Sequence, residues 1–288
     1  MLLILSPVHQ LQKSRYACPQ SAKVAEYSQN SDMCALTEQV VFTDPYWEAE
    51  YNRWTSPQLD GDVKALWADS AAKLAASLLK LKFLSATQAM LHGDLHTGSL
   101  MVTPETTWAI DPEFAFYGPI GFDVGAFLAN LFLCYFASAG LPGDRSGQRE
   151  WLLDTVVGVW DGFCAKFIDL WGSHMRSGGD STGALCTLAV FGDGAVGGPD
   201  SFAECQDAIT ADLFRDSLGF AGAKMIRRIV GIAHVEDLES IEDSDARADC
   251  ERKALRFGRE LLVNAGSFSD ARAVAKAARK AFNSCGGR

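Results

Sequence analysis

The feature that most constrains this chain is the run from Val124 to Leu141, interrupted only by Asn130 and Ser138. A segment apolar on every side must either cross a bilayer or be buried all round as a helix. The run barely reaches the roughly 18–20 residues that a span needs. It also carries Gly125, Ala126, Ala129, Ala137, Ala139 and Gly140, and no Lys or Arg flanks its start. We read 123–139 as a core helix around which other elements must pack.

The remaining pattern supplies those elements. Val63, Leu66, Trp67, Leu74, Leu78 and Leu81 recur at helical spacing over 63–81. Trp151, Val156, Trp160, Phe163 and Phe167 mark one face of a helix over about 150–171. Further helices are predicted over 202–232 and 244–263, with an Ala/Lys/Arg-rich helical tail from 267 that frays at Gly286-Gly287. Only the middle changes period. Met90-Leu91-His92 is short and apolar. Leu100-Met101-Val102 and Thr107-Trp108-Ala109-Ile110 read as strands around a Thr103-Pro104-Glu105-Thr106 turn. This is an α+β chain, mostly helical, with a small β-hairpin. Residues 177–200 are glycine-rich and read as a loop or insertion.

Charge and cysteine usage exclude several classes. With 26 basic against 36 acidic residues the net charge is −10, which argues against nucleic acid as a partner, since phosphate-backbone binding needs Lys and Arg. The first eight residues are too short for a secretory signal. The eight cysteines are scattered with no CxxC pair, so neither a zinc site nor a disulfide framework is signalled. A reduced, cytoplasmic setting is the default.

Chemistry concentrates in His92-Gly93-Asp94-Leu95-His96-Thr97-Gly98-Ser99 and in Asp111-Pro112-Glu113, which the hairpin should return beside Gly93–Ser99. Phosphoryl transfer needs a carboxylate to orient an acceptor hydroxyl and hard oxygen ligands to hold Mg²⁺ on the nucleotide phosphates. One carboxylate on a tight loop and others just past a hairpin supply both. A lone HGD is an ordinary turn; paired with IDPE at hairpin distance it points to a site.

These runs resemble the aminoglycoside phosphotransferase and choline-kinase branch of the protein-kinase-like fold, where HGD replaces HRD and D-x-E or D-x-D replaces DFG. Within it the chain is more similar to the S-methyl-5-thioribose kinases, on LTEQVVFTDPY at 36–46, NRWTSPQLD at 52–60, HGDLHTGSLMVT at 92–103, IDPEFAFYGPIGFDVGAFLANL at 110–131 and GFAGAKMIRRIVGIAHVEDLESIED at 219–243. The resemblance implies a cytoplasmic ATP- and Mg²⁺-dependent transferase of methionine salvage, phosphorylating the 1-hydroxyl of methylthioribose, and suggests a homodimer, with no membrane or nucleic-acid partner. It implies that Asp94 is the catalytic base and binds the sugar. Asp111, Pro112 and Glu113 would meet ATP, with Asp111 and Glu113 on the metal. Arg227 and Arg228 would contact the sugar; read alone, they are a surface pair bridged to Glu236, Asp237 and Glu239. His92 would brace the loop and Asp123 would accept hydrogen bonds from it. His96 tempts as a base or metal ligand, though zinc has no third ligand nearby in sequence. His234 reads as packing.

The resemblance also sets an organisation: residues 1–35 as a remnant or replaced N-terminal segment, 36–266 as a kinase-like C-terminal lobe, and 267–288 as a tail. Ser99 stands where protein kinases carry a second metal-binding Asn. Gly192-x-Gly194-x-x-Gly197 lies after the catalytic loop and is followed by Gly198-Pro199 rather than a helix, so it is not a phosphate loop. Neither Lys13 nor Lys23 sits in a strand pattern. A strand-rich N-lobe with its ATP-pairing lysine is therefore expected to be missing, and with it tight ATP binding. Other readings are a kinase with an aminoglycoside or choline-like acceptor, and an inactive lobe serving in binding or dimerisation.

Overall fold

The structure, a computed structural model, describes residues 30–176 and 198–284. The segment before residue 30 with Lys13 and Lys23, residues 177–197 of the glycine-rich stretch and Gly286-Gly287 lie outside the described residues. The end of that stretch departs from the expectation: Gly198-Pro199, read as loop, open a helix, since proline is tolerated in a first helical turn.

The apolar run forms α4 (Gly121–Ala137), buried at every position except Asn130 and Cys134. It lies against α6 (Gly198–Val230), itself covered by α8 (Ser244–Asn264). The close approach of α4 and α6 needs Gly125, where an added Cβ would stand 2.4 Å from the Ser217 carbonyl oxygen. α5 (Ser146–Arg176) packs on the far side of α4, α9 (Ala271–Asn283) packs on α5, and α7 (Glu236–Glu239) is a single turn beside α4. α1 (Ser31–Phe42) and α3 (Ser70–Ser85) close the other flank. Phe42, Phe83, Phe116, Phe122 and Phe220 meet there, with ring centroids 4.9–6.4 Å apart. No helix among the described residues is long and apolar enough to cross a membrane.

The predicted single helix over 63–81 is two: α2 (Asp60–Ala68) and α3. Asp69 breaks it. Its carboxylate caps α3 by accepting from the Ala71 and Ala72 amides at 3.0 and 3.1 Å, and it takes Arg259 of α8 at 2.5 Å. The buried face also differs. Ala72, Ala76 and Phe83 turn inward, while Leu74, Leu78 and Leu81 are about 60 % exposed. Trp151 is likewise outward on α5, although Val156, Trp160, Phe163 and Phe167 are buried as expected. Leu78→Ser is therefore expected to change unfolding free energy by less than about 0.5 kcal/mol, whereas Phe132→Ala on α4 should cost about 3–5 kcal/mol. Urea titration of the two variants checks this ordering.

The hairpin is present. β2 (Leu100–Val102) pairs antiparallel with β3 (Thr107–Ala109), with Leu100 opposite Ala109, and Thr103 N–H closes the turn on the Thr106 carbonyl at 2.8 Å. A second ribbon, not foreseen in full, joins β1 (Ala89–Leu91) to β4 (Phe116–Gly118). Cys34, Cys134, Cys164 and Cys250 are free thiols, but Cys205 is disulfide-bonded, a pairing that the scattered cysteines did not signal.

Candidate active site

The two ribbons bring the HGD loop and the IDPE loop together through main chain. Ile110 N–H donates to the Ser99 carbonyl at 2.9 Å, and Ile110 O lies 2.8 Å from His92 Nε2. Gly93, with φ +86°, lies flat on the next loop: a Cβ there would be 2.1 Å from the Phe114 carbonyl oxygen. Asp123 fixes the bend from the first turn of α4. Its carboxylate accepts from the His92 and Gly93 amides at 2.6 and 3.0 Å, and burial pushes its pKa up. It lies inside the helix rather than at its cap, which is Ile120. Further along, Asn130 accepts from the Thr97 amide at 3.0 Å, and His96 Nδ1 accepts from the Gly98 amide at 3.0 Å. Asn130 explains the polar break in the core helix: it anchors the loop.

Asp94 faces α6. Lys224 Nζ donates to its Oδ1 at 3.2 Å, Arg228 Nη2 stands at 4.0 Å and His96 Nε2 at 3.7 Å from Oδ2. Burial pushes the Asp94 carboxyl up, but Lys224, Arg228 and His96 outweigh it and hold the pKa below the usual carboxylate range. His96 is pulled down, chiefly by burial with the nearby cations adding to it and Asp94 opposing, which favours its neutral form.

Lys224 escaped the sequence reading. It is 6 % exposed, with Nζ 4.8 Å above the centroid of the Phe122 ring. Burial lowers its pKa to about 8 against the pull of Asp94. Arg227 is lowered to about 10 by burial and by Arg228, and its Nε and Nη1 have no hydrogen-bond partner. Arg228 donates to the His234 carbonyl at 3.4 Å. The bridges to Glu236, Asp237 and Glu239 that Arg227-Arg228 suggest when read alone are not formed among the described residues; Glu239 pairs with Arg53 at 3.5 Å. The missed signal was a Lys/Arg triple at i, i+3 and i+4 on a turn otherwise filled by buried Ala221, Ala223, Met225 and Ile226.

A small cavity of about 20 Å³ lies here, with Asp94, His96, Asn130, Lys224 and Arg228 on its wall. Asp111, Pro112 and Glu113 do not line it. All three are exposed, Asp111 with φ +64°. Asn30 at the start of α1 pins their loop by donating to the Glu113 and Ala115 carbonyls, both at 2.9 Å. The three carboxylates therefore share abutting loops without forming one cluster. Among the described residues no group of three His, Cys, Asp or Glu side chains is poised to hold a metal. Asp94 is instead paired on the helical side of the cleft, with Lys224. Asp111 and Glu113 make no side-chain hydrogen bond or ion pair among the described residues. Two such open carboxylates suit Mg²⁺, which takes one or two from protein and the rest from phosphate and water.

The phosphotransferase enzyme family profile matches residues 20–148. The chain is 49 % identical over 248 residues to methylthioribose kinase 1 of Oryza sativa subsp. japonica, covering 85 % of this chain and 56 % of that protein. It is 41 % identical over 261 residues to the methylthioribose kinase of Escherichia coli, covering 90 % and 60 %, and 39 % identical over 247 residues to that of Geobacillus kaustophilus, covering 86 % and 56 %. This chain is a relative of the methylthioribose kinases. It has their protein-kinase-like fold in its mostly helical form. It spans a little over half the length of these methylthioribose kinases.

Proposed function

We propose that this chain is the acceptor-binding and catalytic lobe of an enzyme that transfers the γ-phosphoryl group of ATP to the 1-hydroxyl of S-methyl-5-thioribose. Asp94 carries the reading: an ionised carboxylate beside Lys224 and Arg228, with unpaired Arg227 donors nearby. Asp94 orients the sugar hydroxyl and takes its proton as attack begins. Arg227 and Arg228 hold sugar oxygens and offset charge developing on the transferring group. Lys224 keeps Asp94 in its charged form and fixed in place. Asp111 and Glu113 would hold Mg²⁺, whose charge would offset that of the nucleotide phosphates. His92 and Asp123 support the loop without touching reactants.

Three cations around the acceptor position disfavour aminoglycosides and choline, which are themselves positive. The test is an acceptor panel followed by ADP release and by ³¹P NMR of the product. Methylthioribose is expected to give a 1-phosphate, with choline and kanamycin inert. A preference for a cationic acceptor removes the proposal, and absence of turnover together with absence of Mg²⁺-dependent methylthioribose or nucleotide binding favours an inactive lobe. Cytoplasmic action and a homodimer belong to the same reading; sedimentation velocity tests the latter.

Lys224 gives the reading a pH signature. Its charge is present below about pH 8 and lost above, so kcat/KM is expected to fall as pH rises through that value. Lys224→Met should lower kcat by about 10-fold or more and flatten that limb. An alkaline limb unchanged in the variant would assign it elsewhere.

A further inference from the structure

A second, larger cavity of about 280 Å³ lies beyond His234. His234 separates the two sites: its carbonyl takes Arg228, whereas its ring, with Nε2 2.9 Å from the Arg53 carbonyl, forms part of the second wall. The proposed phosphoryl transfer uses none of this cavity's side chains. Its wall comes from three separate parts of the chain, the loop Arg53–Ser56, the stretch from His234 to Glu239, and the start of α8. These parts are tied together. The His234 ring meets the Arg53 carbonyl, Arg247 of α8 donates to Thr55, and Arg252 of α8 donates to the Gln58 carbonyl at 2.7 Å and to Asp62 at 2.8 Å.

Glu251 on this wall is only 1 % exposed, and its Oε2 has no hydrogen-bond partner. Thr55 donates to the carboxylate, yet burial dominates and pushes the pKa up. A buried acceptor left without a donor is unfavourable, so this wall can still take a donor from a ligand. Two guanidinium groups share the wall, and Arg247 already attracts the Glu251 carboxylate. Arg247 donates from Nε to Thr55 Oγ1 at 3.1 Å and from Nη1 to the Ile241 carbonyl at 3.4 Å, and no hydrogen bond among the described residues uses its Nη2. Arg53, 61 % exposed, holds Glu239 only through a surface pair at 3.5 Å, the kind that exchanges at little cost. Trp54 adds a rigid apolar wall, its indole N–H fixed on Asp60 at 2.7 Å and its ring edge-on to Trp67.

This arrangement discriminates between ligand classes. A simple anion would meet the guanidinium groups but be repelled by Glu251. A simple amine would satisfy Glu251 and be repelled by Arg53 and Arg247. A polyol would bring no charge to either pole. A zwitterion matches both poles. We propose that this cavity is a binding site for a free α-amino acid, with its ammonium on Glu251, its carboxylate on Arg247 and Arg53, and its side chain along Trp54.

Isothermal titration of the whole chain with glycine, alanine, leucine, methionine and phenylalanine tests this, with propionate, propylamine and ribitol as controls. At least one amino acid is expected to bind saturably, and the controls not. Glu251→Gln keeps the side-chain shape and should weaken binding by about tenfold or more. Arg53→Met, on an exposed side chain that does not threaten folding, should also weaken it. Asp94→Asn should leave it unchanged, which separates this site from the kinase chemistry. A cavity that holds water only, equal binding of propionate or ribitol, or amino-acid binding untouched by both pocket variants overturns the assignment.

Discussion

Asp94→Asn is expected to reduce kcat for methylthioribose phosphorylation by about 10²–10⁴-fold, the range over which a positioned general base acts. The amide retains an oxygen for Lys224 and the shape of the loop, so nucleotide binding and the unfolding midpoint should stay near wild type. What is lost is the negative charge that orients and deprotonates the acceptor. The substitution also leaves Lys224, Arg227 and Arg228 without their shared carboxylate, so KM for the sugar should rise along with the fall in kcat. Steady-state kinetics with titration calorimetry on the same preparation separates these effects. Retained turnover in this variant would falsify the base assignment and return the role to a carboxylate on the exposed loop.

The largest structural effect is expected at Gly93. Ala at this position must adopt φ +86° and place its Cβ 2.1 Å from the Phe114 carbonyl oxygen, 2.7 Å from the carbonyl carbon. The left-handed conformation alone costs about 1–3 kcal/mol. The clash is with main chain and cannot be relieved by rotating a side chain. Gly93→Ala should therefore lose about 3 kcal/mol or more in urea unfolding, with activity falling further because the two carboxylate-bearing loops are pushed apart. Gly61, where an added Cβ meets nothing within 4 Å, is the control: Gly61→Ala should be close to neutral. An unchanged midpoint for Gly93→Ala would mean that the loops tolerate separation.

The elements that were legible in the sequence were those with local causes. The Thr103–Thr106 turn closes on itself, so the β2–β3 ribbon and the return of Asp111 to the HGD loop follow from chemistry within a dozen or so residues. The α4 run could be nothing but core. Periodicity failed where the decision was tertiary. On α3 the leucines and the small residues form two faces of the same helix, and the face that turned inward is the one with Ala72 and Ala76, whose lack of bulk lets neighbouring helices approach. Hydrophobicity alone selects the wrong face there. The β1–β4 pairing escaped because three-residue strands carry too little alternation to read. Lys224 escaped because one lysine among alanines looks like a solvated face until the partner carboxylate, distant in sequence, is placed opposite it. The placement of Asp94 toward α6 rather than toward Asp111 and Glu113 has the same origin: loop proximity is set locally, but side-chain direction is set by the helix across the cleft.

Phe122 belongs at once to the aromatic cluster and to the underside of the Lys224 ammonium. The ring both fills volume and replaces water around a charge, so it sets how readily that charge is surrendered. Trimming it would admit solvent beneath the amine and move its proton affinity back toward that of an ordinary lysine. In this protein a tightly packed interior and a tuned acidity are therefore one design variable, and drift in the phenylalanines alters chemistry without touching a single polar group.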